Sequence, residues 1–183
     1  VYTPDGQNDS FTITGNVDGV AVYGGFESGD AFTDRDPKAN RTVLSGDLGG
    51  GDGDPDDDGI IEDADPNQDS TPENLAGTNV THVLLLDGGD RIGSNITPDV
   101  TAATVIDGVV VTAGQASGTG LNASGGGVYC DGEGTGNRCN PTLRQVVFSG
   151  NAANSLGGAL VNDGSNGGMS SPLLMNTTFV GNA

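Results

Sequence analysis

The sequence of 183 residues has no tryptophan, and its three tyrosines and five phenylalanines leave aromatics at 4%. Surfaces that stack bases or sugar rings on aromatic side chains have little to work with here. Cations are nearly as scarce: six Lys and Arg face 25 Asp and Glu, giving a formal charge of −19 and a pI near 4.1. Such a polyanion gains nothing from counterion release on nucleic acid or an anionic membrane, so no nucleic-acid partner is expected. No run of about 18 apolar residues occurs, which excludes a helical membrane span. One histidine and two cysteines do not furnish four zinc ligands at finger spacing. Gly or Pro interrupts every window long enough for a helix, so helices are excluded as the main element. A leader-like segment is missing too, and the chain opens at Val1, which reads as a mature form or a piece of a longer protein.

What is present is short and recurrent. Apolar runs such as "FTIT", "VAVYGGF", "TVLSG", "HVLLLDGG", "TVIDGVVVTAG" and "PTLRQVVFSG" follow one another along the chain. Each is rich in Val, Thr, Leu or Phe and bounded by Gly, Asn, Asp or Pro, the signature of short strands. Cys130 and Cys139 bracket "CDGEGTGNRC", an even pair positioned to close a small disulfide and so pointing outside the cell. Six sequons, at Asn8, Asn40, Asn79, Asn95, Asn122 and Asn176, are candidate N-glycosylation acceptors, although Asn-rich turns followed by Thr-rich strands also generate such triplets.

The last third repeats itself. "PTLRQVVFSGNA" (Pro141–Ala152) aligns without gaps on "PLLMNTTFVGNA" (Pro172–Ala183), and the same offset of 31 carries "GGVYCDG" (Gly126–Gly132) onto "GGALVND" (Gly157–Asp163). A weaker echo, Ile106–Ala116, fits if one residue is inserted. A unit of this length with strands and no helix must stack on its neighbours to bury its apolar face. The expectation is all-β: one coil of a parallel β-solenoid per repeat, in a single domain spanning 1–183. Phe148 should then stack on Phe179 in the core. Asn151 and Asn182 should stack at a turn, where Asn tolerates the left-handed region and bonds its neighbour's amide. Gly126–Gly127 and Gly157–Gly158 should mark bends that only Gly fits. An antiparallel sandwich is the competing fold, but two-residue hairpin signals are scarce.

These residues carry a resemblance. The pairing of "GGAL" (Gly157–Leu160) with "FSGN" and "FVGN" resembles the GGA[ILV] and FxxN repeats of chlamydial polymorphic outer-membrane proteins. The longer pattern, "VYTP", "GVAVYGGF", "DRDPKANRTVLSGDL", "THVL", "IDGVVVTAG", "GGGVY" and "NPTLRQVVFSGNAA", is similar to the wider bacterial family of right-handed parallel β-helix surface proteins. It covers nearly the whole chain outside Gly49–Gly77. The resemblance implies a right-handed parallel β-helix, secretion and a surface or adhesive role, with glycans or a host or cell surface as partners; it implies no catalytic residues. The acidic insertion, the cysteine pair and the lack of an anchoring signal depart from the family.

Ten of the 25 acidic residues lie between Asp47 and Asp69, nine of them inside an insertion spanning 49–77. Here "DPDDDGIIEDAD" fits a calcium-loop template. Asp54, Asp56 and Asp58 take positions 1, 3 and 5, and Gly59 takes the turn position. Ile60 offers its carbonyl, Glu62 falls at position 9, and Asp65 replaces the usual Glu at position 12. Dense oxygen ligands suit Ca²⁺, with an affinity in the extracellular range of roughly 10⁻⁴ to 10⁻³ M. Asp at the last position resembles dockerin and thrombospondin-type loops. The flanks cannot extend into helices, so the loop reads as a lone staple; a solvated acidic linker is the plainer alternative.

A carbohydrate-active enzyme, lyase-like or glycosidase-like, is the competing function. Asp18, Asp87, Asp90, Asp107 and Asp131 are its candidate carboxylates, yet none sits in a distinctive motif, and Asp87, Asp107 and Asp131 each precede a turn-marking Gly. The charges of "DRDPKANRT" suggest local pairing of Arg35, Lys38 and Arg41 with Asp34 and Asp36. His82, among Thr and Val, reads as a stacked strand residue rather than a general base. No enzymatic activity is expected. Both ends lack the polar caps that solenoids use, which fits either an ordered piece of a longer surface protein or head-to-tail self-association into a filament. The functional expectation is an extracellular structural or adhesive element held by calcium.

Overall fold

The computed structural model describes residues 1–50, 75–89 and 99–183. Apart from three single-turn 3₁₀ segments, their regular structure is strand. The strands are Phe11–Thr14 (β1), Ala21–Tyr23 (β2), Thr42–Ser45 (β3), Leu84–Asp87 (β4), Val105–Asp107 (β5), Val109–Thr112 (β6), Gln115–Ala116 (β7) and Val128–Asp131 (β8). They continue with Arg138–Cys139 (β9), Thr142–Arg144 (β10), Val147–Ser149 (β11), Ala152–Ala153 (β12), Leu160–Asp163 (β13), Met169–Ser170 (β14), Leu173–Met175 (β15) and Thr178–Val180 (β16).

These strands form three four-stranded sheets: β1-β4-β8-β13, β2-β5-β10-β15 and β3-β6-β11-β16. Two-stranded pairs, β7 with β12 and β9 with β14, extend the corners. Every pairing of these strands is parallel. The chain therefore visits the first, second and third sheets in one cyclic order, four times over. No hairpin joins consecutive strands of these sheets, in keeping with the scarcity of hairpin turn signals.

Alternate residues of single strands, such as Leu84 and Leu86, Val109 and Val111, or Val128 and Cys130, enter one apolar cluster, as a period of two requires. Each sheet contributes a column to it. Ile13, Leu86 and Cys130 stack in the first sheet, Val22, Ile106, Leu143 and Leu174 in the second, and Leu44, Val111, Phe148 and Phe179 in the third. Leu85, Val43 and Val110 are buried as well. Strands with both faces covered read as unbroken apolar runs, which accounts for "VLLLD" and "VVVT".

The expected stacks are present, with corrections of detail. The rings of Phe148 and Phe179 lie parallel, 4.8 Å apart. Asn151 donates from Nδ2 to Asn182 Oδ1 at 2.9 Å and to the Val111 carbonyl at 2.9 Å, and its Oδ1 accepts the Gly114 amide at 3.0 Å. The left-handed residue is the one before each Asn, Gly150 and Gly181, both with φ of 57°; Ala113, before the equivalent Gly114, has φ of 59°. The Gly126 stretch pairs one residue later than the repeat suggests, at an offset of 32, because Val128 lies opposite Leu160 and Asp131 opposite Asp163. Gly126 thus faces Gly158; a Cβ there would stand 2.2 Å from the Ala152 carbonyl oxygen. Val105–Ala116 registers on Thr142–Ala153 at a constant offset of 37, so the echo needs no inserted residue.

Cys130 and Cys139 form a disulfide that ties β8 to β9, and both are fully buried. Closing a loop this short removes denatured-state freedom worth roughly 2–3 kcal/mol. Replacing both cysteines by serine is expected to lose about that much, read as a lower urea midpoint at unchanged slope.

Candidate functional site

The densest polar chemistry sits at the corner where the second sheet passes into the third. Asp107 closes β5 beside the core residue Ile106, so its side chain leaves the opposite face. It is fully buried there. Arg35, from the segment between β2 and β3, grips it with both ends of its guanidinium, at 2.9 and 3.0 Å. Arg144, one circuit further on, donates from Nε at 2.8 Å. Arg35 also donates to the Gly24 carbonyl and lies 5.3 Å from the Tyr23 ring centre, with Phe26 and Phe32 about as near. Burial alone would raise the Asp107 pKa; hydrogen bonds from Arg35 and Arg144 and their charges outweigh it, leaving the carboxyl below its usual value. The Asp107 hydrogen bond, with its charge, raises the Arg35 pKa against the opposing effect of burial. Gly108 must turn there with φ of +74°, and a Cβ would meet Arg35 Nη2 at 2.5 Å and the Pro37 ring at 2.7 Å. The local pairing expected of Arg35 is therefore corrected: its partner is 72 residues away. The carboxylate of Asp36 instead accepts the amides of Lys38 and Ala39, closing its own turn.

The same segment walls a surface groove of about 310 Å³ lined by Lys38 and Arg41 on one side and by Val147, Gln145 and Asn176 on the other. Gly108, Gln145 and Asn176 hold equivalent places on successive circuits, one after Asp107, Arg144 and Met175, and all three have φ near +50° to +75°. Repeat alignment could have paired Gln145 with Asn176; it could not have placed Lys38 and Arg41 beside them. A second cleft, along Thr3–Thr12, is lined by Asp5 and Asp9 and is acidic instead.

The remaining candidate carboxylates hold structure. Asp18 accepts the amide and hydroxyl of Thr101 and the hydroxyl of Thr104, at 2.8, 2.7 and 2.8 Å. Burial pushes its pKa up, but these bonds prevail and lower it. Asp87, Asp131 and Asp163 stand in register at the end of the first sheet, and each accepts the amide two residues on. For Asp87 and Asp131 this is the turn their following glycines suggest; Asp107 is the exception. His82 is buried, edge-on to Tyr129 at 5.4 Å, with Nδ1 2.8 Å from the Gly125 carbonyl; it lies just before β4 rather than in a strand.

Asp54, Asp56, Asp58, Ile60, Glu62 and Asp65, together with Asp90 and Asn95, lie outside the described residues. Among the described residues, no three His, Cys, Asp or Glu side chains gather in a group able to hold a metal ion. Of the sequons, Asn8, Asn122 and Asn176 are exposed and Asn40 is half-buried. Asn79 is only 1% exposed and bridges to Asp47, so its amide is closed to a glycosylating enzyme in the folded chain. Among the described residues no helix is long and apolar enough to cross a membrane.

At the outer edge of the stack, core positions come to the surface. Leu174 and Phe179 are 39% and 48% exposed, whereas Leu143 and Phe148, one circuit inward, are 1% and 0%. Comparison with known proteins adds no relative: no family model, no curated protein and no solved structure matches this chain.

Proposed function

We propose that this chain is a right-handed parallel β-helix acting as an extracellular structural or adhesive element of a cell-surface protein or filament. One observation carries the reading: three parallel sheets are visited in fixed cyclic order, with apolar residues in register from circuit to circuit. Where copies meet end to end through the outermost circuit, the contact is heterologous and does not close on itself. The disulfide favours an oxidising, extracellular setting. Calcium held by the carboxylates of Asp54, Asp56, Asp58, Glu62 and Asp65 and the carbonyl of Ile60 would give the 49–77 insertion an internal centre, since a long loop without a core is costly to order. A carbohydrate-cleaving β-helix is the alternative. It needs two carboxyl groups about 5–9.5 Å apart across a cleft, while Asp18 is held by Thr101 and Thr104, Asp87 and Asp131 by turn amides, and Asp107 by two arginines.

Electron microscopy of the native protein, with and without a calcium chelator, tests the assembly. Filaments with a regular axial repeat would make the outermost circuit a contact between copies, and isolated short rods at all concentrations would make the chain an element of a longer surface protein. Chelation is expected to expose the insertion to protease near Gly59 while the near-UV signal of the packed core persists. Global unfolding on chelation would refute the local-staple role.

A further inference from the structure

We infer that the neck of the 49–77 insertion binds one small hard cation, sodium or calcium, on a row of buried oxygens at the end of the third sheet. Two side-chain oxygens there have no hydrogen-bond partner, Asn79 Oδ1 and Thr112 Oγ1, although their residues are only 1% and 3% exposed. Buried polar atoms are nearly always satisfied, and one that is not costs stability.

The topology brings the two together. Thr112 ends β6 beside the core residue Val111, so its hydroxyl stands on the outer face of the sheet. Ser45 and Ser149 lie in register on either side of it, and both are buried. Two residues past Ser45, Asp47 bridges antiparallel to Asn79. The Leu48 amide bonds the Thr78 carbonyl and the Val80 amide that of Gly46, which makes this the close kind of pair, with its side chains adjacent on one face. Val80 enters the core, so Asn79 faces outward with Thr112. The row is fastened along its length: Gly46 donates to the Thr112 carbonyl at 2.8 Å, and the Asp47 amide to Ser45 Oγ at 3.1 Å. Asn79 Nδ2 donates to the Ala76 carbonyl at 3.5 Å, which leaves its oxygen to the row.

Asn79, Thr112 and Ser45 thus offer neutral oxygens. Asp47 adds a negative charge, its Oδ1 accepting the amides of Gly49 and Gly50. An all-oxygen set with one carboxylate suits a hard cation such as sodium or calcium and offers a soft metal nothing. With a single acid it is a different kind of site from the grouped His, Cys, Asp or Glu ligands, which do not occur among the described residues. The field of a chain of charge −19 draws cations and repels anions. The bound ion ties both legs of the neck, through Asp47 and Asn79, to the third sheet, independently of calcium at Asp54–Asp65.

The test uses the full chain carrying D54N/D56N/D58N, so that the acidic insertion gives no calcium response of its own, in a buffer with choline as the bulk cation. Sodium, calcium or further choline is added, and the urea midpoint is read. The midpoint is expected to rise saturably with sodium or calcium and not with choline, since an ion that binds only the folded chain stabilises it by mass action. The ion that acts at the lower concentration is the one the site selects. Thr112→Val keeps the shape and removes the oxygen; Thr112→Ser keeps the oxygen. In choline, T112V is expected at or above its parent, because the hydroxyl it lacks is unpartnered there. With the ion added it is expected to fall below the parent and lose most of the rise, while T112S retains it. A midpoint that answers to neither ion overturns the inference, as does a T112V protein with the parent's full response. A T112V midpoint below the parent already in choline overturns it too, because the hydroxyl would then be satisfied by a buried water or by the chain itself. With the loop carboxylates already replaced, none of these outcomes bears on calcium in the insertion.

Discussion

Asp107→Asn is expected to destabilise the folded chain by about 3–5 kcal/mol, more than any substitution of an exposed acid here. The change keeps the shape and removes the charge. Arg35, whose side chain is only 12% exposed, then sits among Tyr23, Phe26 and Phe32 with no anion to balance it. Arg144 is 42% exposed and can turn to water, so Arg144→Ala is expected to cost only about 1 kcal/mol. The pH dependence follows from the lowered pKa of Asp107. A carboxyl with a folded pKa below its unfolded value contributes stability that is fully present above the unfolded value, about 4, and is lost as pH falls through the folded one. Asp18 is shifted the same way and adds to the same window. Urea midpoints of the wild type should therefore drop below about pH 4, and the drop should be visibly smaller in D107N. A D107N protein with the wild-type midpoint at neutral pH would show that the corner is solvated and not a clamp.

Phe148→Ala is expected to cost about 3–5 kcal/mol, since the ring is fully buried and its removal leaves a cavity between Val111 and Phe179. Phe179→Ala carries the same chemistry at the open edge. There the ring is 48% exposed, and the expected cost is about 1 kcal/mol. The contrast has a functional side. If copies stack on this edge, Phe179 becomes a core residue, and F179A should raise the concentration needed for filaments far more than it lowers the stability of dissolved protein. Equal stability losses for the two variants in dissolved protein would mean that Phe179 is already covered.

The C-terminal circuits were legible because an ungapped repeat places Phe148 over Phe179 and Asn151 over Asn182, and packing rewards identical side chains at each level. The one-residue slip at Gly126 has a simple origin. Three consecutive glycines, Gly125 to Gly127, align with Gly157–Gly158 in two ways, and glycine has no side chain to decide between them. Asp131 opposite Asp163 was the deciding signal. The earlier circuits were less readable because β1 and β4 pair across 73 residues and β4 and β8 across 44, distances that hide the repeat. The same separation concealed the corner: Arg35 had Asp34 and Asp36 beside it in sequence, while its buried partner Asp107 lay 72 positions on. The sequon at Asn79 was visible, but its burial follows from pairing with Asp47 across the insertion. The calcium loop rests on its sequence pattern alone.

The central claim is that successive circuits stack in parallel to form one β-helix, and nuclear Overhauser contacts in the dissolved protein test it most directly. The account predicts contacts from the Phe148 ring to Val111 and Phe179, and from the Thr178 amide proton to the α-proton of Val146, whose carbonyl it meets at 2.9 Å. Strong contacts between the α-protons of Thr142–Arg144 and Val147–Ser149, the mark of antiparallel pairing between neighbouring strands, would contradict it.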